Sequence, residues 1–317
     1  MAYYLGRMHN LNSKTSIVVQ LSCSDEAHAN EHVIEDRSIR NAVTRYKWLK
    51  MPVIGALLRL LGVKNPEELF SKNEIHGSDS DMKTVVMIVG MHRSGTSCLT
   101  GSLQQCGLYL GEVYTEGPFN RKGVRENARI MCLNDALLAK NSADWRTPPV
   151  EVVWDQDHIR ERDDIIREFD ANSEKMWGFK DPRVLFTFPF WKEGLQNIKM
   201  VGTFRHPVSV AQSLNFRNQM AMEDGLELWY AYNCKLLALL QEYGFPLISF
   251  DVPSDQYLAS VEFVTHYLGL NLATPPSEST FFEETLRTQN EQREVDVPRH
   301  IMDLYEELQG YARLRLH

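Results

Sequence analysis

The chain has 317 residues, 43% of them hydrophobic and 24% charged, which is enough length and apolar content for one large globular domain or two. A formal net charge of −8 and a pI near 5.7 argue against a dedicated DNA- or RNA-binding role and against a long polyanion as partner.

Residues 1–80 read as a mostly helical extension ahead of the main domain. Ser16 to Leu21 has the composition of a strand, and Ser38 to Lys50 spaces Ile39, Val43, Tyr46 and Leu49 as on a helix. Pro52 in a first turn, then Val53, Ile54, Leu57, Leu58, Leu61 and Gly62, describe a second short helix, and Asn65-Pro66 opens a third. The polar run Lys72 to Asp81 is a linker. These amphipathic helices suit packing on the main domain or on a second subunit, so a homodimer through the extension is an expectation. Their polar positions are not richly basic, which speaks against a membrane surface. Within the extension, His28-Ala29-Asn30-Glu31-His32 matches H-x-x-E-H and puts two histidines on one helix face. The flanks, CSDEAHANEHVIEDR, are polar on all sides and offer no buried wall for a catalytic zinc, so a solvated helix is expected there.

Five scattered cysteines (Cys23, Cys98, Cys106, Cys132, Cys234) without a C-x-x-C pair fit free thiols in a reducing compartment. The longest apolar stretch, Met51 to Val63, contains Arg59 and is too short to span a bilayer. The opening MAYYLGRMHN lacks the apolar run of a signal peptide, and the expected location is the cytoplasm.

From Asp81 onward strands and helices alternate, which predicts an α/β domain over 81–317 with a parallel sheet. Thr84 to Val89 is a β-branched apolar run, the composition of a strand buried on both faces. A helix from Thr96 sets Leu99, Leu103 and Cys106 on one face, with Gly107 as C-cap. Residues 111–124 (GEVYTEGPFNRKGV) form a long polar loop. Glu126 to Lys140 is the next helix, with Ile130, Leu133, Leu137 and Leu138 inward, and Asp155 to Phe169 is a surface helix. Met176 to Phe179 is a second strand ending in Lys180-Asp181-Pro182-Arg183. Ile198 to Phe204 is a third, ending in Arg205-His206-Pro207. Helices follow at Pro207 to Phe216 and Gly225 to Tyr243, then a strand at Pro246 to Phe250 ending in Asp251, and helices at Asp255 to Leu268 and Pro298 to Leu314.

The chemistry concentrates at Gly90 to Ser97, between the first strand and its helix. A glycine-bounded loop there directs successive backbone N–H groups and a helix N-terminus at an anion. Gly90 and Gly95 let the backbone close without Cβ obstruction, Arg93 adds charge, and Ser94, Thr96 and Ser97 add hydroxyl donors. The stretch matches G-x-x-x-x-G-x-[ST], with Thr96 where the phosphate-gripping lysine of a nucleoside triphosphatase would stand. That substitution points to a phosphate ligand other than ATP awaiting hydrolysis. Arg93, Lys180 and Arg205 each follow a buried strand. Ligands of open α/β sheets bind outside the carboxyl ends of strands, so three such cations describe one anion site with room for more than one phosphate.

Segments GMHRSGTS (Gly90 to Ser97), GFKDPR (Gly178 to Arg183) and FRHPVSVAQSL (Phe204 to Leu214) carry a resemblance to bacterial-type sulfotransferases that use 3′-phosphoadenosine 5′-phosphosulfate (PAPS). GLELWYAYN at Gly225 to Asn233, LISFD at Leu247 to Asp251, YLGL at Tyr267 to Leu270 and FFEETLR at Phe281 to Arg287 extend it over about residues 84 to 310. The resemblance implies a P-loop-type three-layer α/β/α domain. It implies that Arg93, Ser94, Gly95, Thr96 and Ser97 hold the 5′-phosphosulfate, that Arg205 and Ser213 hold the 3′-phosphate, and that Lys180 lies near the transferring sulfuryl group. The reaction implied is in-line transfer to an acceptor oxygen or nitrogen, leaving 3′,5′-ADP, with no metal required. Arg93 and Lys180 are then the charge-stabilising candidates and Glu126 the candidate general base, with His92, Asp181 and His206 in reserve. Pro182 stands where cytosolic members of the superfamily carry a histidine, and their C-terminal RKGxxGDWK segment is absent. The alternative for Glu126 is a carboxylate in the first turn of its helix, where the dipole favours it.

The expected acceptor is a small molecule or a sugar. The acidic balance of the chain favours a neutral or cationic one, and Phe188, Phe190, Trp191, Phe216, Trp229 and Tyr230 are aromatic candidates for its pocket or for the core. Two rival readings stay open. One is a P-loop kinase or nucleoside triphosphatase, with LISFD as its Walker B strand. The other is a non-catalytic nucleotide-binding protein.

Overall fold

The computed structural model describes residues 83–117, 123–270 and 295–313. The expected N-terminal extension with its H-x-x-E-H segment, the linker, residues 118–122 of the polar loop and the FFEETLR segment lie outside the described residues.

Four strands, β1 (Thr84–Val89), β2 (Met176–Lys180), β3 (Ile198–Phe204) and β4 (Leu247–Ser249), form one parallel sheet in the order β2-β1-β3-β4. Every pairing is parallel, with Ile88 opposite Lys180 on one side of β1 and opposite Val201 on the other. Eight helices are described: α1 (Thr96–Gln105), α2 (Ala128–Lys140), α3 (Gln156–Asp170), α4 (Val184–Gly194), α5 (Pro207–Asn218), α6 (Met222–Tyr243), α7 (Ser254–Leu268) and α8 (Arg299–Arg313).

The alternation of β1 decides the layering. Val85, Met87 and Val89 point into a large, aromatic-rich core, and Val86 and Ile88 point into a smaller aliphatic one. Leu99 and Leu103 of α1, with Tyr257, Val261, Val264 and Leu268 of α7, close the smaller face. Helices α2 to α6 and α8 close the larger with Ile130, Leu137, Ile165, Phe190, Trp191, Trp229, Tyr232 and Leu308. The result is a three-layer α/β/α sandwich, the architecture expected of alternating strand and helix signals.

Two departures from the sequence reading have clear causes. Helix α2 begins at Ala128, not Glu126, because the Asn127 side chain caps it by accepting from the backbone N–H groups of Arg129 and Ile130. Glu126 is therefore ahead of the helix and not in its first turn. Helix α4 has no counterpart in the sequence reading. Pro189 lies inside it and its run VLFTFPFW is nearly all apolar, which erases the amphipathic period, yet seven of its residues are buried.

Candidate functional site

Strands β2 and β3 lie on opposite sides of β1, so the chain changes direction at the carboxyl ends of β1 and β3, where a crevice opens in such sheets. The glycine loop occupies that place. A Cβ on Gly90 (φ 152°) would come within 2.3 Å of the Thr203 carbonyl on β3, and one on Gly95 (φ 83°) within 2.2 Å of the Phe250 ring after β4. Only glycine permits this approach at both positions. Thr203 Oγ1 donates to the Ser94 carbonyl at 3.0 Å and so ties the loop to β3. Gly95, the N-cap of α1, has no side chain to cap it, so the first-turn N–H groups of α1 find no side-chain acceptor there. Ser94 Oγ is buried and has no hydrogen-bond partner among the described residues.

Arg93, at φ 65°, turns its side chain towards α5, where Nε donates to Ser213 Oγ at 2.7 Å across 120 residues of sequence. Burial, Arg217 and Arg205 together push the Arg93 guanidinium down to about 10, which leaves it a cation at neutral pH in a crowd of like charge. Contacts that hold Arg205 include its Nε donating to Asp251 Oδ1 at 3.2 Å and its carbonyl accepting from Trp229 Nε1 at 2.9 Å. Asp251 also accepts from the backbone N–H of His206. The aspartate read as a possible Walker B carboxylate thus holds the segment after β3.

The second cation, Lys180, ends β2 and is 2% exposed. Its Nζ donates to Glu126 Oε1 at 2.6 Å, an ion pair buried at both ends. Three features set Glu126 in place ahead of α2. Its carbonyl accepts from the Tyr114 N–H, Val124 O accepts from Ser97 Oγ at 3.1 Å, and Asn127 caps the helix that follows. The glycine loop, β2 and the entry to α2 are thereby knitted into one wall.

Beneath Lys180 lies a buried polar network that sequence reasoning missed. Asn134 on α2 donates to Asp181 Oδ2 at 3.0 Å, and its Oδ1 accepts from Thr187 Oγ1 at 2.8 Å and from Trp191 Nε1 at 2.9 Å. Asp181 in turn accepts from the backbone N–H and from Nη1 of Arg183, both at 2.9 Å. Arg183 Nε also faces Asp135 Oδ1 at 2.5 Å. Burial pushes the Asp181 carboxyl above its usual range and Arg183 pulls it back, while Glu126 adds to the rise.

A cavity of about 360 Å³ opens over this wall, lined by His92, Tyr114, Glu126, Trp145, Arg183 and Arg217 among others. His92 shows part of its ring to it, with Nε2 sealed and unpartnered among the described residues. Its ring centroid is 4.9 Å from that of Trp145 and 5.7 Å from that of Tyr232. Burial, and then the cations Arg183, Lys180, Arg217 and Arg93, hold His92 well below its ordinary value of 6.5, so the ring is neutral. The aromatic candidates named from sequence lie elsewhere. Phe188, Phe190, Trp191 and Trp229 are core, Phe216 is 82% exposed, and the cavity takes its aromatic surface from Tyr114 and Trp145. Among the described residues no group of three or more His, Cys, Asp or Glu side chains is placed to hold a metal ion, and no helix is long and apolar enough to cross a membrane.

No family model matches the chain, and no curated protein does. Solved structures similar to it include the sulfotransferase domain of the Synechococcus PCC 7002 olefin synthase, at 16% identity, covering 72% of this chain and 95% of that domain with a TM-score of 0.49.

Proposed function

We propose that the chain is a PAPS-dependent sulfotransferase that transfers the sulfuryl group to a hydroxyl of a small-molecule or sugar acceptor and releases 3′,5′-ADP. The observation that carries the reading is the 2.7 Å hydrogen bond from Arg93 to Ser213. It joins the two segments whose sequences resemble the two phosphate-binding stretches of that family, so a single adenylate can span them. The donor set suits such a ligand: an α1 N-terminus without a side-chain cap, a buried Ser94 hydroxyl lacking a partner among the described residues, and Arg93 and Arg205 within each other's fields. When bound, PAPS supplies an activated sulfuryl group on its 5′-phosphate.

The chain's own residues then divide the work. Arg205 and Ser213 hold the 3′-phosphate, a group that ATP lacks. The loop N–H groups, with Arg93, Gly95, Thr96 and Ser97, hold the 5′ end. Glu126 takes the proton from the acceptor hydroxyl as that oxygen bonds to sulfur. Lys180 and Arg93 neutralise the phosphate oxygen that keeps the electron pair of the broken S–O bond, and one such preorganised donor is typically worth roughly 3–4 kcal/mol. The engagement of Asp251 with Arg205 and the His206 N–H speaks against the kinase reading, in which that carboxylate would hold magnesium.

Calorimetric titration tests the assignment. The protein is expected to bind 3′,5′-ADP without a metal and to bind ATP with Mg²⁺ far more weakly, and Arg205→Ala is expected to weaken 3′,5′-ADP binding. Unchanged nucleotide affinity in that variant refutes the assignment of the two phosphate poles.

A further inference from the structure

The cavity that ends at Glu126 carries a charge of its own, opposite in sign to that of the whole protein. Its wall holds three guanidiniums, Arg146, Arg183 and Arg217, and two carboxylates, Glu116 and Glu126. The deep groups are matched within the fold, Glu126 by Lys180 and Arg183 by Asp181 and Asp135. At the mouth, Arg146 and Arg217 are both exposed, against the exposed carboxylate of Glu116. Asp144, next to Arg146, uses its Oδ1 on its own turn, accepting from the N–H groups of Arg146 and Thr147 and from the Thr147 hydroxyl, and its carboxylate shares a field with the Arg146 cation, which stays exposed. The Arg146 guanidinium lies 4.8 Å over the Trp145 ring, and that ring also meets His92 in the cavity wall. An apolar platform therefore runs from the arginine-bearing mouth towards Glu126.

Resting on the sulfotransferase reading, we propose that the acceptor is a small hydroxy acid whose hydroxyl meets Glu126 and whose carboxylate is held at the mouth by Arg146 and Arg217. The ring or chain between them lies along Trp145. The cations around His92 make the field at the cavity wall positive. A guanidinium also matches a carboxylate in geometry, with two parallel N–H donors. The volume of the cavity, at the small end of the range for ligand clefts, fits a molecule of one or two rings. The acidic surface elsewhere does not oppose this, because charges more than a Debye length away (~8 Å at physiological salt) are screened.

The test uses the full chain saturated with 3′,5′-ADP and two matched pairs of probes: glucuronate with glucose, and 4-hydroxybenzoate with its methyl ester. Binding is read by calorimetry and saturation-transfer NMR, so turnover is not needed. At least one acid is expected to bind about tenfold more tightly than its neutral partner, the order that two exposed charged contacts supply. That preference is expected to shrink severalfold in Arg146→Gln and at high salt, with 3′,5′-ADP affinity unchanged in the variant. Neutral probes that bind as well as the acids, a preference that survives Arg146→Gln together with Arg217→Gln, or no binding of either acid to the nucleotide complex overturns the proposal and leaves the sulfotransferase reading standing. Failure of 3′,5′-ADP to bind overturns that reading, and this proposal with it.

Discussion

Arg93 and Arg183 both lie close enough to act on His92, yet they live in opposite surroundings. Arg183 is locked between Asp181 and Asp135; burial works against its charge, but the two carboxylates more than offset this and hold the guanidinium above its usual range. Arg93 has a hydroxyl for its hydrogen-bond partner and two guanidiniums in its field, and its value falls to about 10. The first arrangement is complete without a ligand, because every charge brought out of water has met its opposite. The second is improved by an anion, which would relieve the repulsion among Arg93, Arg205 and Arg217. The difference separates an arginine that builds the fold from one that, on the reading proposed above, serves a ligand, a distinction invisible in residue type.

Four measurements can break or sharpen that contrast. The largest effect is expected at Glu126, which belongs to both categories as the partner of Lys180 and the candidate base. Glu126→Gln keeps an oxygen for Lys180 and is expected to lower turnover by roughly 10²–10⁴-fold while sparing 3′,5′-ADP affinity. A turnover near that of the parent protein removes Glu126 from the chemistry. Arg183→Leu strands the buried Asp181 carboxyl, and urea unfolding is expected to report a loss of about 3–5 kcal/mol. A loss below 1 kcal/mol would put Arg183 in the same class as Arg93. Arg93→Ala is expected to do the reverse: stability within about 1 kcal/mol of the parent, since one hydrogen bond is lost and like-charge crowding eased, with 3′,5′-ADP affinity down roughly 10–100-fold.

The smallest effect concerns the neutral His92. Its folded value lies below its ordinary 6.5, so below pH 6.5 the unfolded chain binds a proton that the folded chain does not. Stability carried by His92 is therefore present above pH 6.5 and is lost as pH falls towards the folded value, at no more than ~1.4 kcal/mol per pH unit. His92→Phe keeps a ring against Trp145 and Tyr232 and is expected to flatten the urea midpoint between pH 6.5 and 5 relative to the parent. Parallel pH profiles for the two proteins would mean that the ring is protonated in the folded state.

Much of the frame was legible before any coordinates. Strands β1 and β3 were readable to the residue, because an apolar β-branched run bounded by glycine or a charged turn admits few other structures. The inward faces of α1 and α2 followed from spacing alone, with Leu99, Leu103, Ile130 and Leu137 all buried. The start of α2 was misread by two residues, because helix period cannot tell a capping Asn127 from a helical Glu126. Helix α4 was missed, because Pro189 and an unbroken apolar run hide the period that identifies helices. Trp145, Arg146 and Arg217 went unremarked because each is an ordinary residue in its own segment, and no local pattern marks a side chain that meets its neighbours across the cleft.

By itself, the sequence of this protein determined the alternating layers and the glycine loop, since both depend on local backbone geometry and on a period of two or 3.6 residues. It also put Arg93, Lys180 and Arg205 at the ends of strands. Only the tertiary structure decided which charges meet: Lys180 with Glu126, Arg183 with Asp181, Arg205 with Asp251, and Arg93 with a serine 120 residues away. The physical reason is that hydrogen-bond energies fall off within a few ångströms of space and Coulomb energies within roughly a Debye length, whereas positions along a chain say nothing about such distances until the sheet order is known.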